Sequence, residues 1–120
     1  MNEFLELLSS CGLPLSEINP GSNEMALSCE NALKGVELLK SQNIPILGGD
    51  IMSEMDGSLI YAYQMWGKQY ISLSWYCRQN PEEAIEDYAR RSHELAIEKI
   101  ERAKEVADRL NQKCFVILVS

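Results

Sequence analysis

The stretch IPILGGDIMSEMDGSLIYAYQMWGKQYISLSWYCR, residues 44–78, decides the fold. Three strand-like runs read out of it: Ile44–Ser53, Ser58–Trp66 and Gln69–Arg78. The first is apolar and contains Gly48–Gly49. The other two are rich in aromatic and β-branched residues, which suit a pleated, half-buried surface. Asp56–Gly57 is a strong hairpin signal, and Gly67–Lys68 is the expected second turn. Alternation puts Ile71, Leu73, Trp75 and Cys77 on one face, with Tyr70, Ser72, Ser74 and Tyr76 on the other. The first set is mostly apolar and should face the core. The spacing predicts an antiparallel meander with one face covered.

Helical patterns flank this region. Upstream, Asn2 can cap a short helix to about Ser10, and Cys11–Asn23 reads as loop because Gly12, Pro14, Pro20 and Gly21 break any pattern. Ser28 is the expected N-cap of a second helix. Cys29, Ala32, Leu33, Val36 and Leu39 mark its buried face, Glu30 suits its first turn, and it should stop near Asn43, before Pro45. Downstream, Asn80–Pro81–Glu82–Glu83 reads as a helix start. The helix should run to about Leu110 on a stripe that includes Ile85, Tyr88, Ala89, Ser92, Ala96, Ile100, Ala103, Val106 and Ala107. Four acid-to-arginine pairs at i,i+4 (Glu86–Arg90, Asp87–Arg91, Glu98–Arg102, Glu105–Arg109) add about 1–2 kcal/mol together. Such a helix is about 45 Å long, enough to kink or overhang. Cys114–Val119 is an unbroken apolar run, expected as a central closing strand. The predicted class is α+β, a single domain over residues 1–120. Its antiparallel sheet has about four strands (the three-stranded meander plus the C-terminal strand). It packs against helices, including one long helix near residues 81–111.

Composition excludes several functions. No apolar run approaches the roughly 20 residues that span a bilayer. Met1–Ser10 carries Glu3 and Glu6 and no basic residue, so no secretory signal is expected and the expected location is cytoplasmic. The four cysteines, Cys11, Cys29, Cys77 and Cys114, form no close pair and the chain has one histidine, so no zinc site is expected. In a reducing compartment all four should be free thiols, mostly buried. Net charge is −7, and residues 1–60 carry all of it, with nine acids against Lys34 and Lys40. Residues 61–120 balance nine acids with nine bases. Such a surface repels nucleic acid and anionic membranes and attracts basic partners.

No catalytic, cofactor or metal constellation emerges. Gly48–Gly49–Asp50 lacks the lysine and following helix of a phosphate loop, and reads as a bulge or close backbone approach. Asp50, Glu54 and Asp56 crowd the first hairpin and read as an acidic rim or a contact surface for a basic partner. His93 reads as a surface residue, and without it Cys77 has no base to make it a nucleophile. Trp66, Trp75, Tyr61, Tyr63, Tyr70 and Tyr76 cluster with only Lys68 and Arg78 as nearby cations, too few for base stacking along a nucleic acid. The outward rings suit a protein interface. The predicted partner-binding residues are therefore Asp50, Glu54, Asp56 and Tyr76, with Glu24 and Trp66 behind them. The alternatives are a small hydrolase using the Asp50 region and an adaptor or oligomerisation module built on the long helix.

The stretches Ala32–Leu39, Ile44–Ile51 and Trp75–Tyr76–Cys77, followed by Phe115–Val119, resemble the immunity protein 40 family of bacterial polymorphic toxin systems. The resemblance covers roughly residues 30–120. It implies a non-enzymatic protein without cofactor that binds and neutralises a cognate toxin domain, protecting the producing cell and its kin. Many such toxin domains are basic nucleases, so a basic, nuclease-like partner is the expectation, with no direct contact to nucleic acid or membrane. The neutralising protein itself would be a monomer or weak homodimer.

Overall fold

The computed structural model describes residues 3–14 and 25–120. In chain order the elements are α1 (Glu3–Cys11), β1 (Leu13–Pro14), β2 (Met25–Ser28), α2 (Cys29–Ser41), β3 (Gly48–Met55), β4 (Ser58–Tyr61) and α3 (Ala62–Trp66). A 3₁₀ helix (Lys68–Leu73), β5 (Trp75–Tyr76), α4 (Ile85–Leu110) and β6 (Phe115–Val119) follow. The class is α+β, as predicted. The sheet runs β1-β2-β6-β3-β4, with β5 on the same edge of β3 as β4, and every pairing is antiparallel. The expected cap Asn2 and residues 15–23 of the expected loop lie outside the described residues; the start of that loop is instead the end of α1 at Cys11 and the short strand Leu13–Pro14.

The two main helices form where capping and spacing say they should. Ser28 Oγ accepts the Asn31 N–H at 3.2 Å and starts α2. The helix ends in a left-handed Asn43, with the N–H of Ile44 returning to Leu39 and that of Asn43 to Lys40, the pattern that satisfies the last carbonyls before Pro45. Asn111 ends α4 the same way, with the Gln112 N–H on Ala107. The 26 residues of α4 give about 39 Å, against 43 Å for the molecule's longest extent.

Its start differs from the prediction. Pro81 and Glu82 occupy a tight turn in which Glu82 has φ 66 and the Glu83 N–H bonds to the Asn80 carbonyl. Proline followed by a positive φ is a type II turn, not a first helical turn. The helix begins at Ile85, which is 49% exposed and not part of the stripe. The predicted i,i+4 pairs are also replaced: Arg90 pairs with Asp87 and Arg91 with Glu83.

β6 is central, as its apolar run predicts: Val116 is paired with Leu27 of β2 on one side and Ile51 of β3 on the other. These residues face α2 and α4, where Val36, Leu39, Ile46, Ile100 and Val106 complete the core with almost no exposure. The other sheet face holds a smaller buried group, Ala26, Met52 and Ile117, edged by Leu59, Tyr61 and Phe115.

The meander is the main correction. Asp56–Gly57 makes the hairpin, with φ 50 and 84, but β4 stops at Tyr61. The chain then turns into α3, which crosses back over the helix side of β3, and the Trp66 indole N–H bonds to Ser53 Oγ at 3.2 Å. A 3₁₀ helix replaces most of the third strand. Its three-residue period puts Tyr70 and Leu73 inward together and leaves Ile71 57% exposed. Strand returns only at Trp75–Tyr76, which pairs with Gly48–Gly49 and not with β4. Between the two partners on that edge of β3, the Ser74 hydroxyl takes the Ile51 N–H.

Candidate protein-interaction surface

The Gly48–Gly49 pair exists because β5 presses onto it. A β-carbon on Gly48 would collide with the Trp75 carbonyl, and one on Gly49 with the Trp75 ring. The close-approach reading of this element therefore holds. With Trp75 clamped inward at 7% exposure and Cys77 at 2%, alternation drives Tyr76 outward, where it is 86% exposed.

The strand that carries Tyr76 is pinned on every side. The Leu47 N–H bonds to Val119 at 2.7 Å, and the Cys77 N–H bonds to Leu47 at 2.8 Å. The Tyr88 hydroxyl donates to the Cys77 carbonyl at 2.6 Å, and burial pushes that hydroxyl's pKa up. Arg91 donates to the Arg78 carbonyl and the Cys77 sulfur while held by Glu83 at 2.8 Å. The Arg91 hydrogen bond and the Asn80 N–H lower the Glu83 carboxyl to about 2, and Arg91 is raised in turn.

Ile44–Leu47, expected as the start of a strand, is not one. Proline has no N–H to give a ladder, and α4 supplies the bonds instead. Ser92 Oγ accepts the Ile46 N–H at 2.9 Å, and His93 Nε2 lies 2.7 Å from the Ile44 carbonyl. His93 is 2% exposed, so the surface reading of it was wrong. The signal was present: four residues from Ala89 and three from Ala96, it sits on the buried stripe.

Cross-strand partners share a sheet face. Tyr76 and Val119 both pair with Gly48, and Asp50 lies two residues along. The face opposite the helices therefore gathers Asp50, Tyr76 and Val119 around a depression of about 140 Å³, with Leu47 at its edge. Leu47 and Val119 are 46% and 39% exposed. Asp50 is half-buried and engaged within the fold. Among the described residues it is the only carboxylate in the lining, and none of them there is a histidine or cysteine.

Glu54 lies on the same face, further along β3, and is ion-paired with Lys113 at 2.9 Å. Asp56 is exposed at the hairpin tip. The structure thus brings Asp50 and Tyr76 together, with Glu54 and Asp56 beyond them. Trp66 is set apart on the helix side, half-buried and edge-on to Tyr70. Glu24 lies outside the described residues. Sequence reasoning missed Leu47 and Val119, because both sit in apolar runs that read as core.

A wider trough of about 790 Å³ runs between the 3₁₀ helix and α4, lined on the α4 side by Glu98, Lys99, Glu101, Arg102 and Glu105. Lys99 donates to the Ser72 carbonyl there at 3.2 Å. Among the described residues, no three His, Cys, Asp or Glu side chains gather as metal ligands, and no helix is long and apolar enough to cross a membrane.

An α+β domain of this kind presents side chains from rigid strands on the sheet face turned away from its helices. Residues 14–120 match the family model described as immunity protein 40. The chain belongs to the immunity protein 40 family, and a protein of that kind confers immunity against a toxin. No curated protein and no solved structure matches the chain.

Proposed function

We propose that the protein neutralises its toxin by direct binding, without catalysis, and that Tyr76 anchors the contact. The observation that carries this reading is a large ring held in water on a strand with no freedom to bury it. A tyrosine offers about 150–250 Å² of contact area, and a rigid one costs little entropy to immobilise. Leu47 and Val119 flank it, and Asp50, Glu54 and Asp56 supply negative charge beside it. Such a surface suits a basic partner, whose encounter would be fast and salt-dependent. The protein would act in the cytoplasm, covering the toxin's working surface as a monomer or weak homodimer.

The hydrolase alternative has less support. Asp50 lines a shallow depression in which no other described residue is an acid or an imidazole to share its work. The adaptor alternative needs a second apolar stripe on α4, but from Glu86 to Leu110 every exposed residue is charged.

The test is a titration of the purified protein with its cognate toxin domain, at rising salt. A complex that weakens with salt, more weakly so after Glu54→Lys and Asp56→Lys, supports the reading. Absence of a complex, or an unchanged salt slope in the variants, would remove it.

A further inference from the structure

Leu27 pairs with Val116, and Ser28 with Phe115, across β2 and β6. Where this pairing ends, Cys29 opens α2 and Cys114 directly precedes β6, and both pack against the core on the helix side of the sheet. Cys29 is buried in the core there, and Cys114 packs against it half-exposed. The Cys29 thiol donates a long hydrogen bond to the Cys114 carbonyl oxygen at 3.8 Å. A depression of about 180 Å³ opens onto both sulfur-bearing residues, lined also by Ser28, Lys104, Asp108 and Gln112. It is large enough for a small oxidant and too small for a protein side of contact.

We propose that Cys29 and Cys114 form an oxidation site, a dithiol that a hydroperoxide entering this depression converts to a disulfide. Cys29 is the nucleophile. It is the first residue of α2, where free N–H groups and the helix dipole favour an anion. The adjacent Cys114 thiol lowers its pKa, with Lys104 adding to the effect against burial and Asp108. The adjacent Cys29 and burial raise Cys114 and keep it protonated. The Cys29 thiolate attacks one peroxide oxygen and the O–O bond breaks. Sulfur gains a hydroxyl as sulfenic acid, and the second oxygen leaves as hydroxide from hydrogen peroxide, or as alkoxide from an organic hydroperoxide, taking the proton Cys29 gave up to become water or an alcohol. Cys114 sulfur then displaces the hydroxyl, which departs as water with the Cys114 proton. Two thiols lose two electrons and two protons, and one hydroperoxide is reduced. The resulting bond ties the start of α2 to the start of β6, across 85 positions of sequence. The site is independent of how the toxin is bound.

The test treats the folded wild-type chain with hydrogen peroxide, blocks the remaining thiols and maps the peptides by mass spectrometry. Cys29 and Cys114 are expected to disappear together into one cross-linked species lacking two hydrogens. In Cys114→Ser, Cys29 should stop at the sulfenic acid and be captured by a dione reagent. The proposal is overturned if both residues stay reduced at doses that oxidise the exposed Cys11. Loss of the two at unrelated rates, without a cross-link, overturns it equally.

Discussion

The six-membered ring of Trp75 occupies the space that a β-carbon on Gly49 would fill. This contact seats β5 on β3 and so fixes which way Tyr76 points. Gly49→Ala should destabilise the fold by about 1–3 kcal/mol through overpacking. Gly48→Ala should cost at least as much, because the obstacle there is the Trp75 backbone. Urea denaturation checks both. A Gly49→Ala protein with the wild-type midpoint would show that β5 is not held this way.

Ser92 and His93 are the next lever. Ile46 is fully buried and its N–H has Ser92 Oγ as acceptor. Ser92→Ala should cost about 1–3 kcal/mol by stranding that donor. Amide exchange at Ile46 should quicken more than at Leu39, whose helix does not depend on Ser92. Equal protection at both would place the Ile46 bond elsewhere.

The Glu83–Arg91 pair gives a pH signature. Glu83 has a folded pKa of about 2 against an ordinary 4.5. A lowered carboxyl stabilises the fold above its unfolded pKa and loses that contribution as pH falls toward the folded value. Stability should therefore be level above about pH 5 and fall between about pH 4.5 and pH 2. In Glu83→Gln that fall should be shallower, with the loss already present at neutral pH. Denaturation midpoints across this range check it, and an identical slope in the variant would contradict it.

Local signals carried much of this fold. Ser28, Asn43 and the Cys29–Leu39 stripe bounded α2. Asp56–Gly57 set the hairpin, and the run Phe115–Val119 marked the central strand. Residues 62–73 were illegible because their aromatics have strand propensity, while Trp66 and Leu73 are drawn onto the helix side of β3 by tertiary packing. His93 was missed because its polarity outweighed its place on the stripe. At the candidate surface, alternation around Trp75 correctly put Tyr76 outside. That Asp50 lies near Tyr76 needed the β3–β5 register, which joins residues far apart in sequence.

Tyr76 anchors the proposed contact, and calorimetry of Tyr76→Ala with the cognate toxin domain tests it. At 86% exposure, removal of the ring should leave the unfolding midpoint unchanged. Affinity should fall by at least about tenfold, as for an interface anchor. A folded variant that binds as tightly as the wild type would contradict the account.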